Sequence, residues 1–181
     1  MPFPLETERL IIRPFQDADL DPFLAYRNDP EVAKYQGWKF PYPREQAINF
    51  IANMKMINPV SVEIAYQAAI ENKETGGLIG DLFYLLGQGD APQARIGYTL
   101  SRSNWKKGFA SEATRRLLDF FFYELSVHRV VADCDTENLA SVRLLERLGF
   151  RREAHFIESF WMGNYWGDEY YYGILEREWK K

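Results

Sequence analysis

Three short apolar segments in the middle of the chain constrain its fold more than any other feature of the sequence. They cover residues 62–70, 78–86 and 94–100, and turn-forming residues separate them at 72–77 and 87–92. Parallel strands need a crossover of about a dozen residues or more, and these connections are shorter. The three segments are therefore predicted to be strands of an antiparallel meander.

Helical and strand-like patterns flank this meander on both sides. The sequence predicts helices at 17–28, 43–56, 111–123 and 138–148, and further strands at 8–13, 129–134, near 150–160 and near 165–175. Asn138 can cap the last helix and Gly149 can end it. The element order predicts an α+β fold, with a mixed, mostly antiparallel sheet of about seven strands flanked by four helices. Because no repeat or linker divides the chain, residues 1–181 are predicted to form a single domain.

Charge and composition argue against several classes of protein. The formal net charge of −4 at pH 7 disfavours sequence-independent nucleic-acid binding, which depends on Lys and Arg that neutralise phosphates. No stretch approaches the roughly 20 apolar residues that span a bilayer, and residues 1–8 lack the pattern of a signal peptide. The only cysteine, Cys134, suits a reducing compartment and is expected to be an inert thiol. We therefore expect a cytoplasmic protein without nucleic-acid or membrane partners.

The segment from Tyr98 to Ala113 joins a predicted strand to a predicted helix through a loop that contains Lys106, Lys107 and Gly108. Backbone N–H groups at such a helix start are unpaired and lie at the positive end of the helix dipole, which favours an anion. Gly108 would let the backbone approach a ligand closely, although a glycine here is also compatible with a plain turn. The loop thus predicts a pyrophosphate site, and it is neither a P-loop nor a dinucleotide-binding fingerprint.

Two motifs in the second half of the chain resemble those of the GNAT superfamily of N-acetyltransferases. The run Trp105-Lys-Lys-Gly108-Phe-Ala110 is similar to its CoA-binding motif (Gln/Arg)-x-x-Gly-x-(Gly/Ala), with Trp105 where Gln or Arg is usual. The run from Asn138 to Phe150 is similar to its second motif. Further segments resemble the RimJ/RimL-like branch, which acetylates protein N-termini, including ribosomal-protein alanine, among other amines; these are 7–13, 28–32, 96–98, 166–170 and 178–179.

This resemblance implies a single GNAT domain that transfers the acetyl group of acetyl-CoA to a primary amine, on a protein N-terminus or a small molecule, by direct attack in a ternary complex. No metal is implied. The resemblance implies that the donor is bound by the end of a strand, by the glycine loop and by the last helix; the residues are Tyr98, Thr99, Leu100, Lys106, Lys107, Gly108, Phe109, Ala110, Ser111 and Asn138. It further implies catalytic roles for Asn138, at the pantetheine arm, and for Ser141, as a hydrogen-bond donor to the departing thiolate. For Asn138 a plain helix cap, and for Ser141 close helix packing, are the alternatives.

Two departures from the family pattern leave the chemistry open. Leu145 stands where much of the superfamily has a Tyr that protonates the thiolate, and Arg95 stands where a Glu often precedes Ile-Gly-Tyr. A non-catalytic acyl-CoA-binding sensor is therefore one alternative. An aminoglycoside or polyamine acetyltransferase is another.

The general base also stays open among Glu63, Asp81 and Asp133, each acting through water. The two histidines, His128 and His155, lack metal-ligand spacing. A homodimer is compatible with a chain of this size.

Overall fold

One eight-stranded sheet runs through the chain in the computed structural model, which describes residues 3–89, 92–163 and 165–179. Its strands are β1 (Leu5–Glu6), β2 (Leu10–Arg13), β3 (Tyr66–Asn72), β4 (Gly77–Leu86), β5 (Gln93–Leu100), β6 (Arg129–Asp135), β7 (Arg151–Trp161) and β8 (Trp166–Leu175). They are ordered β1-β2-β3-β4-β5-β6-β8-β7 across the sheet. In the described residues, every neighbouring pair is antiparallel except β5 and β6.

Helices cover the two faces of this sheet. They are α1 (Leu20–Arg27), α2 (Pro30–Ala33), α3 (Arg44–Met56), α4 (Phe109–Asp119) and α5 (Leu139–Arg147), with a π-helical turn at Phe120–Glu124 and 3-10 turns at Asp17–Asp19, Arg102–Asn104 and Glu176–Glu178. On what we call the α4 face, α4 and α5 bury Leu117 and Leu145 against strand residues such as Leu82. On the opposite face, the α1 face, α1 and α3 bury Phe23 and Ile51 in a second core. None of the helices in the described part of the chain has the length and apolarity that a membrane crossing requires.

The parallel pair β5–β6 splits partway along its length. The two strands pair from Gln93 opposite Arg129 to Ile96 opposite Ala132, and then they part. Beyond that point β5 still pairs with β4 as far as Leu100, and β6 still pairs with β8 as far as Asp135. Each strand is thus held by its other neighbour. A splay therefore opens in the middle of the sheet, and the edge of β5 that faces it from residue 97 to 100 has no strand partner within the described residues.

The predicted α+β fold and the antiparallel meander are confirmed. Within the described residues, the structure has one strand and one helix more than the sequence predicted. β1 was missed because it is only two residues long and exists through its pairing with β2. α2 was missed because it is a single turn, started by Pro30 and by the side chain of Asp29, which accepts from the N–H of Glu31.

Several predicted boundaries shift. The first meander strand begins at Tyr66, and Val62 makes only an isolated bridge to Leu86. The helix predicted from Asp17 starts with a 3-10 turn before α1, and the third predicted helix begins at Phe109. Residues 90 and 91 of the second predicted turn lie outside the described residues.

Candidate active site

A cavity of about 440 Å³ lies where β5 and β6 part. The end of β5, the start of α4 and α5 form most of it, and α2 with the residues after it closes one side. Its lining includes Lys34, Tyr98, Trp105, Lys106, Gly108, Asn138, Ser141, Arg143 and Arg147. All residues predicted from the sequence to bind the donor or to act in catalysis line this cavity, except Lys107. The backbone carbonyl of Lys107 instead accepts a hydrogen bond from Arg9 Nη1 at 3.1 Å.

The loop before α4 presents its backbone N–H groups in a concave arrangement. Gly108 has φ +84° and ψ −3°, a left-handed conformation, and Phe109 directly after it begins the right-handed helix. A left-handed residue followed by a right-handed one directs successive N–H groups toward a common point, where an anion binds. Lys106 is also left-handed, with φ 59°. Within the described residues, the backbone N–H groups from 106 to 111 donate to no protein acceptor.

Three cationic side chains add positive charge to the cavity. Lys106, Arg143 and Arg147 line it, and none of them forms an ion pair with a carboxylate of the described residues. The sequence reasoning missed both arginines. Their spacing of four residues on a capped helix, which places them on one helix face, was the signal that could have found them.

Two residues that carry hydroxyl groups meet at the start of α5. The side chain of Asn138 caps this helix by accepting from the N–H of Ser141 at 3.2 Å, as the sequence predicted. The Ser141 side chain lies within hydrogen-bonding reach of the Tyr98 phenol. The Tyr98 hydroxyl donates to the Ser141 carbonyl oxygen across 3.4 Å, a long contact. Burial raises the pKa of Tyr98 above its ordinary value, so the phenol keeps its proton at neutral pH.

Leu145, at the position where the family pattern often has a tyrosine, is only 1% exposed and belongs to the core of the α4 face. It contributes no polar group to the cavity.

Two of the three carboxylates proposed as a base are engaged elsewhere. Glu63 Oε1 accepts from the backbone N–H of Gln88 at 3.0 Å, near the end of β4 that is remote from the splay. Asp133 Oδ1 accepts from Arg95 Nε at 2.7 Å across β5 and β6. Arg95, at the position where the family pattern often has a Glu, therefore forms an ion pair with Asp133.

The third proposed base, Asp81, is completely buried below α1. It accepts a hydrogen bond from the Tyr26 hydroxyl, and Arg27 Nη2 lies 3.3 Å from the same carboxylate oxygen. Burial raises the pKa of Asp81, and the charge of Arg27 only partly offsets this effect. Asp81 does not line the cavity.

A carboxylate that the sequence reasoning missed, Asp135, ends β6 on one side of the splay. It is 9% exposed, and its Oδ1 accepts from the N–H of Glu137 at 2.7 Å. Its backbone carbonyl accepts from the N–H of Asn138 at 3.0 Å, so Asp135 lies next to a lining residue but does not itself line the cavity. Burial raises the pKa of Asp135, and the charges of Glu137 and Asp168 add to that effect. An acidic residue at the end of a strand, just before a helix cap, was the available signal.

The remaining candidate side chains lie in ordinary surroundings. Cys134 packs against the core of the α4 face, and burial raises the pKa of its thiol to about 12, with the charges of Asp133 and Asp135 contributing. His155 Nε2 lies 3.1 Å from Asp168 Oδ2. In the part of the chain that the structure describes, no group of three or more His, Cys, Asp or Glu is arranged to hold a metal ion.

Known proteins resemble this chain over nearly its whole length. Residues 9–151 match the acetyltransferase (GNAT) domain family. The uncharacterized N-acetyltransferase YnaD of Bacillus subtilis (strain 168) is 34% identical over 177 residues, which cover 97% of this chain and 98% of that protein. An acetyltransferase of the GNAT family from Bacillus anthracis has a TM-score of 0.82 at 32% identity, over 96% of this chain and 99% of that chain. The spermidine N-acetyltransferase from Vibrio cholerae, solved in complex with CoA and spermine, has a TM-score of 0.81 at 21% identity, over 95% of this chain and 98% of that chain, and it therefore shares the fold.

Proposed function

The chain belongs to the acetyltransferase (GNAT) domain family, and on that premise we propose that it transfers the acetyl group of acetyl-CoA to a primary amine, on a protein N-terminus or a small molecule. Family membership makes it an N-acetyltransferase and confirms the resemblance in its sequence. The observation that carries the proposal is the cavity at the splay of β5 and β6, because this cavity joins an anion-binding loop to two hydroxyl groups.

The lining of the cavity fits the successive parts of acetyl-CoA. The free N–H groups of residues 106–111, at the positive end of α4, suit a pyrophosphate. Positive charge for a donor that carries phosphate in addition to its pyrophosphate comes from the side chains of Lys106, Arg143 and Arg147. The unpaired edge of β5 from residue 97 to 100 can bond to the amide groups of a pantetheine arm, as an added strand would. The spermidine N-acetyltransferase from Vibrio cholerae, which shares the fold, was solved with CoA and spermine.

The hydroxyl groups of Ser141 and Tyr98 suit the departure of the thiolate. As the amine nitrogen bonds to the thioester carbon, the carbon–sulfur bond breaks and the sulfur takes the electron pair. A thiol has an ordinary pKa of about 8.5, so one donated hydrogen bond is enough to stabilise the leaving thiolate at neutral pH. The positioning of the two substrates supplies much of the remaining rate acceleration. Ser141 is the first candidate for this donor because it lies in the cavity wall, in the first turn of α5. Asn138 orients Ser141 by capping the helix.

The acceptor amine must lose a proton, and Asp135 is the carboxylate that we assign to this step, directly or through water. Glu63 lies near the end of β4 that is remote from the splay, Asp133 pairs with Arg95, and Asp81 is buried below α1. Asp135 stands at the splay, and its raised pKa suits a group that takes up a proton. The nearby carboxylates of Glu137 and Asp168 also favour an acceptor that arrives as a positively charged ammonium.

The experiment that tests this function begins with calorimetric titration of the purified protein with acetyl-CoA. A panel of amines then follows, with thiol release as the readout: peptides with free N-termini, spermidine and an aminoglycoside. We expect saturable binding and amine-dependent release of CoA with at least one class. Binding without release for any amine would favour the acyl-CoA sensor instead, and no binding at all would refute the proposal.

A further inference from the structure

The turn between β1 and β2 reaches across the fold to the first turn of α4. The carboxylate of Glu112 accepts from Thr7 Oγ1 at 2.6 Å and from the backbone N–H of Arg9 at 3.0 Å, both through Oε1. Its other oxygen, Oε2, lies 2.7 Å from Arg9 Nε and 2.6 Å from Arg9 Nη2. This paired contact joins residues more than a hundred positions apart in the chain, so the local sequence around α4 cannot supply it.

Arg9 also touches the loop that precedes α4. Its Nη1 donates to the carbonyl of Lys107 at 3.1 Å, and its guanidinium carbon lies 4.5 Å from the ring centre of Phe109. A Cβ atom added at Gly108 would come 3.4 Å from Nη2. Arg9 therefore contacts Lys107 and Phe109, and it lies beside Gly108 between them. It does not line the cavity at the splay, and instead lines a separate depression with Phe109 and Lys73.

The ion pair of Arg9 with Glu112 also removes an unfavourable negative charge from the start of α4. Glu112 lies in the first turn of α4, where an isolated carboxylate would repel an anion bound at the same helix end. Partial burial alone would raise its pKa, but the hydrogen bonds from Thr7 and Arg9 and the charge of Arg9 lower it, so Glu112 is ionised and neutralised by a cation.

We propose that Arg9 is a positioning residue for the acyl donor: paired with Glu112 and bonded to the Lys107 carbonyl, it holds the N–H groups of residues 106–111 in the orientation that binds the pyrophosphate. Arg9 acts from behind the loop and does not itself touch the donor. This inference rests on the proposed function, because it assumes that the loop binds the pyrophosphate of acetyl-CoA.

A comparison of two acyl donors distinguishes the positioning role of Arg9 from a general contribution to the structure. Acetyl-CoA carries the pyrophosphate, whereas S-acetylpantetheine carries the same thioester and arm without it. We expect Arg9→Gln to raise KM for acetyl-CoA about tenfold, the size expected for one charge-assisted contact, with kcat changed less than twofold. KM for S-acetylpantetheine should stay within twofold of the native value. Glu112→Gln should act in the same direction, and the double variant should be no worse than the stronger single variant, because the two residues act as a unit.

Two further variants control for misfolding and for the loss of an ion pair elsewhere on α4. Arg9→Lys keeps the charge but lacks the paired geometry, so we expect it to fold and to show an intermediate KM. Arg116→Gln is the matched control, since it breaks an ion pair of α4 with Glu124, at 3.1 Å, without touching the loop, and it should leave both KM values unchanged.

Equal losses with both donors, or no loss with acetyl-CoA in any Arg9 or Glu112 variant, would overturn the inference while the proposed function stands. Failure of the native protein to bind acetyl-CoA would refute the proposed function first. That result is visible before any variant is made.

Discussion

At the scale of single residues, the hydroxyl groups of Ser141 and Tyr98 can be told apart by removing each in turn. We expect Ser141→Ala to lower kcat by roughly 10–100-fold at constant KM for acetyl-CoA, because a hydrogen bond to a charged group contributes about 1.5–3 kcal/mol. Tyr98→Phe should have a smaller effect, because the Tyr98 hydroxyl already points to the Ser141 carbonyl. Steady-state rates of thiol release measure both. A larger loss of kcat in Tyr98→Phe would reverse the assignment and make the phenol the proton donor.

Residue types and spacing could predict most of the residues that line the cavity, but not the partners that decide what each residue can do. The glycine of the loop and the cap of α5 are local signals, and both residues lie where the sequence indicated. The state of a carboxylate depends on contacts that are distant in sequence. Arg95 pairs with Asp133 only because β5 and β6 are neighbours. No pattern near residue 133 indicates this pairing, so the choice of base could not be made from the sequence.

At the scale of elements, two substitutions of Asn138 can separate its role as the cap of α5 from a contact with the acyl donor. Asn138→Ala removes the acceptor for the Ser141 N–H and should lower the free energy of unfolding by about 1 kcal/mol. Asn138→Asp keeps that acceptor and should be nearly as stable as the native protein. If the amide of Asn138 also binds the pantetheine arm, Asn138→Asp will weaken acetyl-CoA binding about five- to tenfold. Urea denaturation and calorimetry measure the two effects, and native affinity in Asn138→Asp would leave Asn138 as a cap only.

The loop before α4 allows a comparison of two glycines with similar backbones. Gly108 and Gly149 both have left-handed φ values, +84° and +89°, so alanine at either position should cost about 1–2 kcal/mol of stability. At Gly149 the new methyl group meets only Ile174 Cδ1 at 3.7 Å, whereas at Gly108 it approaches Arg9. We expect both variants to melt at similarly reduced temperatures, while only Gly108→Ala binds acetyl-CoA severalfold more weakly. Equal affinity in the two variants would contradict a donor role for the loop.

The elements that sequence patterns predicted well are those whose ends carry their own signals. α5 has a cap at Asn138 and a stop at Gly149, and its predicted and observed limits agree closely. β1 and α2 were missed because each is too short to show a period, and β1 depends on its pairing with β2. The splay of β5 and β6 could not be predicted from sequence patterns for another reason. It depends on where the pairing of three pairs of strands ends.

At the scale of the whole molecule, a buried polar cluster ties the helical layer of the α1 face to the central strand β4. Tyr26 and Arg27 of α1 contact the carboxylate of Asp81. The guanidinium of Arg27 also stacks on Trp38, 3.8 Å from the ring centre, and Trp38 Nε1 donates to the Arg27 carbonyl at 3.2 Å. The chain that follows α2 from Lys34 is part of the cavity wall. The cluster therefore links the stability of the fold to one side of the proposed active site.

This arrangement makes the contribution of Tyr26 depend on pH. Burial raises the pKa of Asp81, so the folded protein binds the carboxyl proton of Asp81 more tightly than the unfolded chain does. The stability that Asp81 contributes therefore falls as the pH rises from its ordinary pKa of 3.8 through its pKa in the folded protein. The Tyr26 hydroxyl limits that loss because it donates to the ionised carboxylate. Tyr26→Phe should therefore cost about 1.5–3 kcal/mol at pH 7 and less near pH 4. Tyr84→Phe, which removes a buried hydrogen bond to the neutral Pro59 carbonyl at 2.9 Å, should cost about 1 kcal/mol at both values. Urea denaturation at the two pH values measures the difference, and a pH-independent cost for Tyr26→Phe would mean that Asp81 stays protonated in the folded protein.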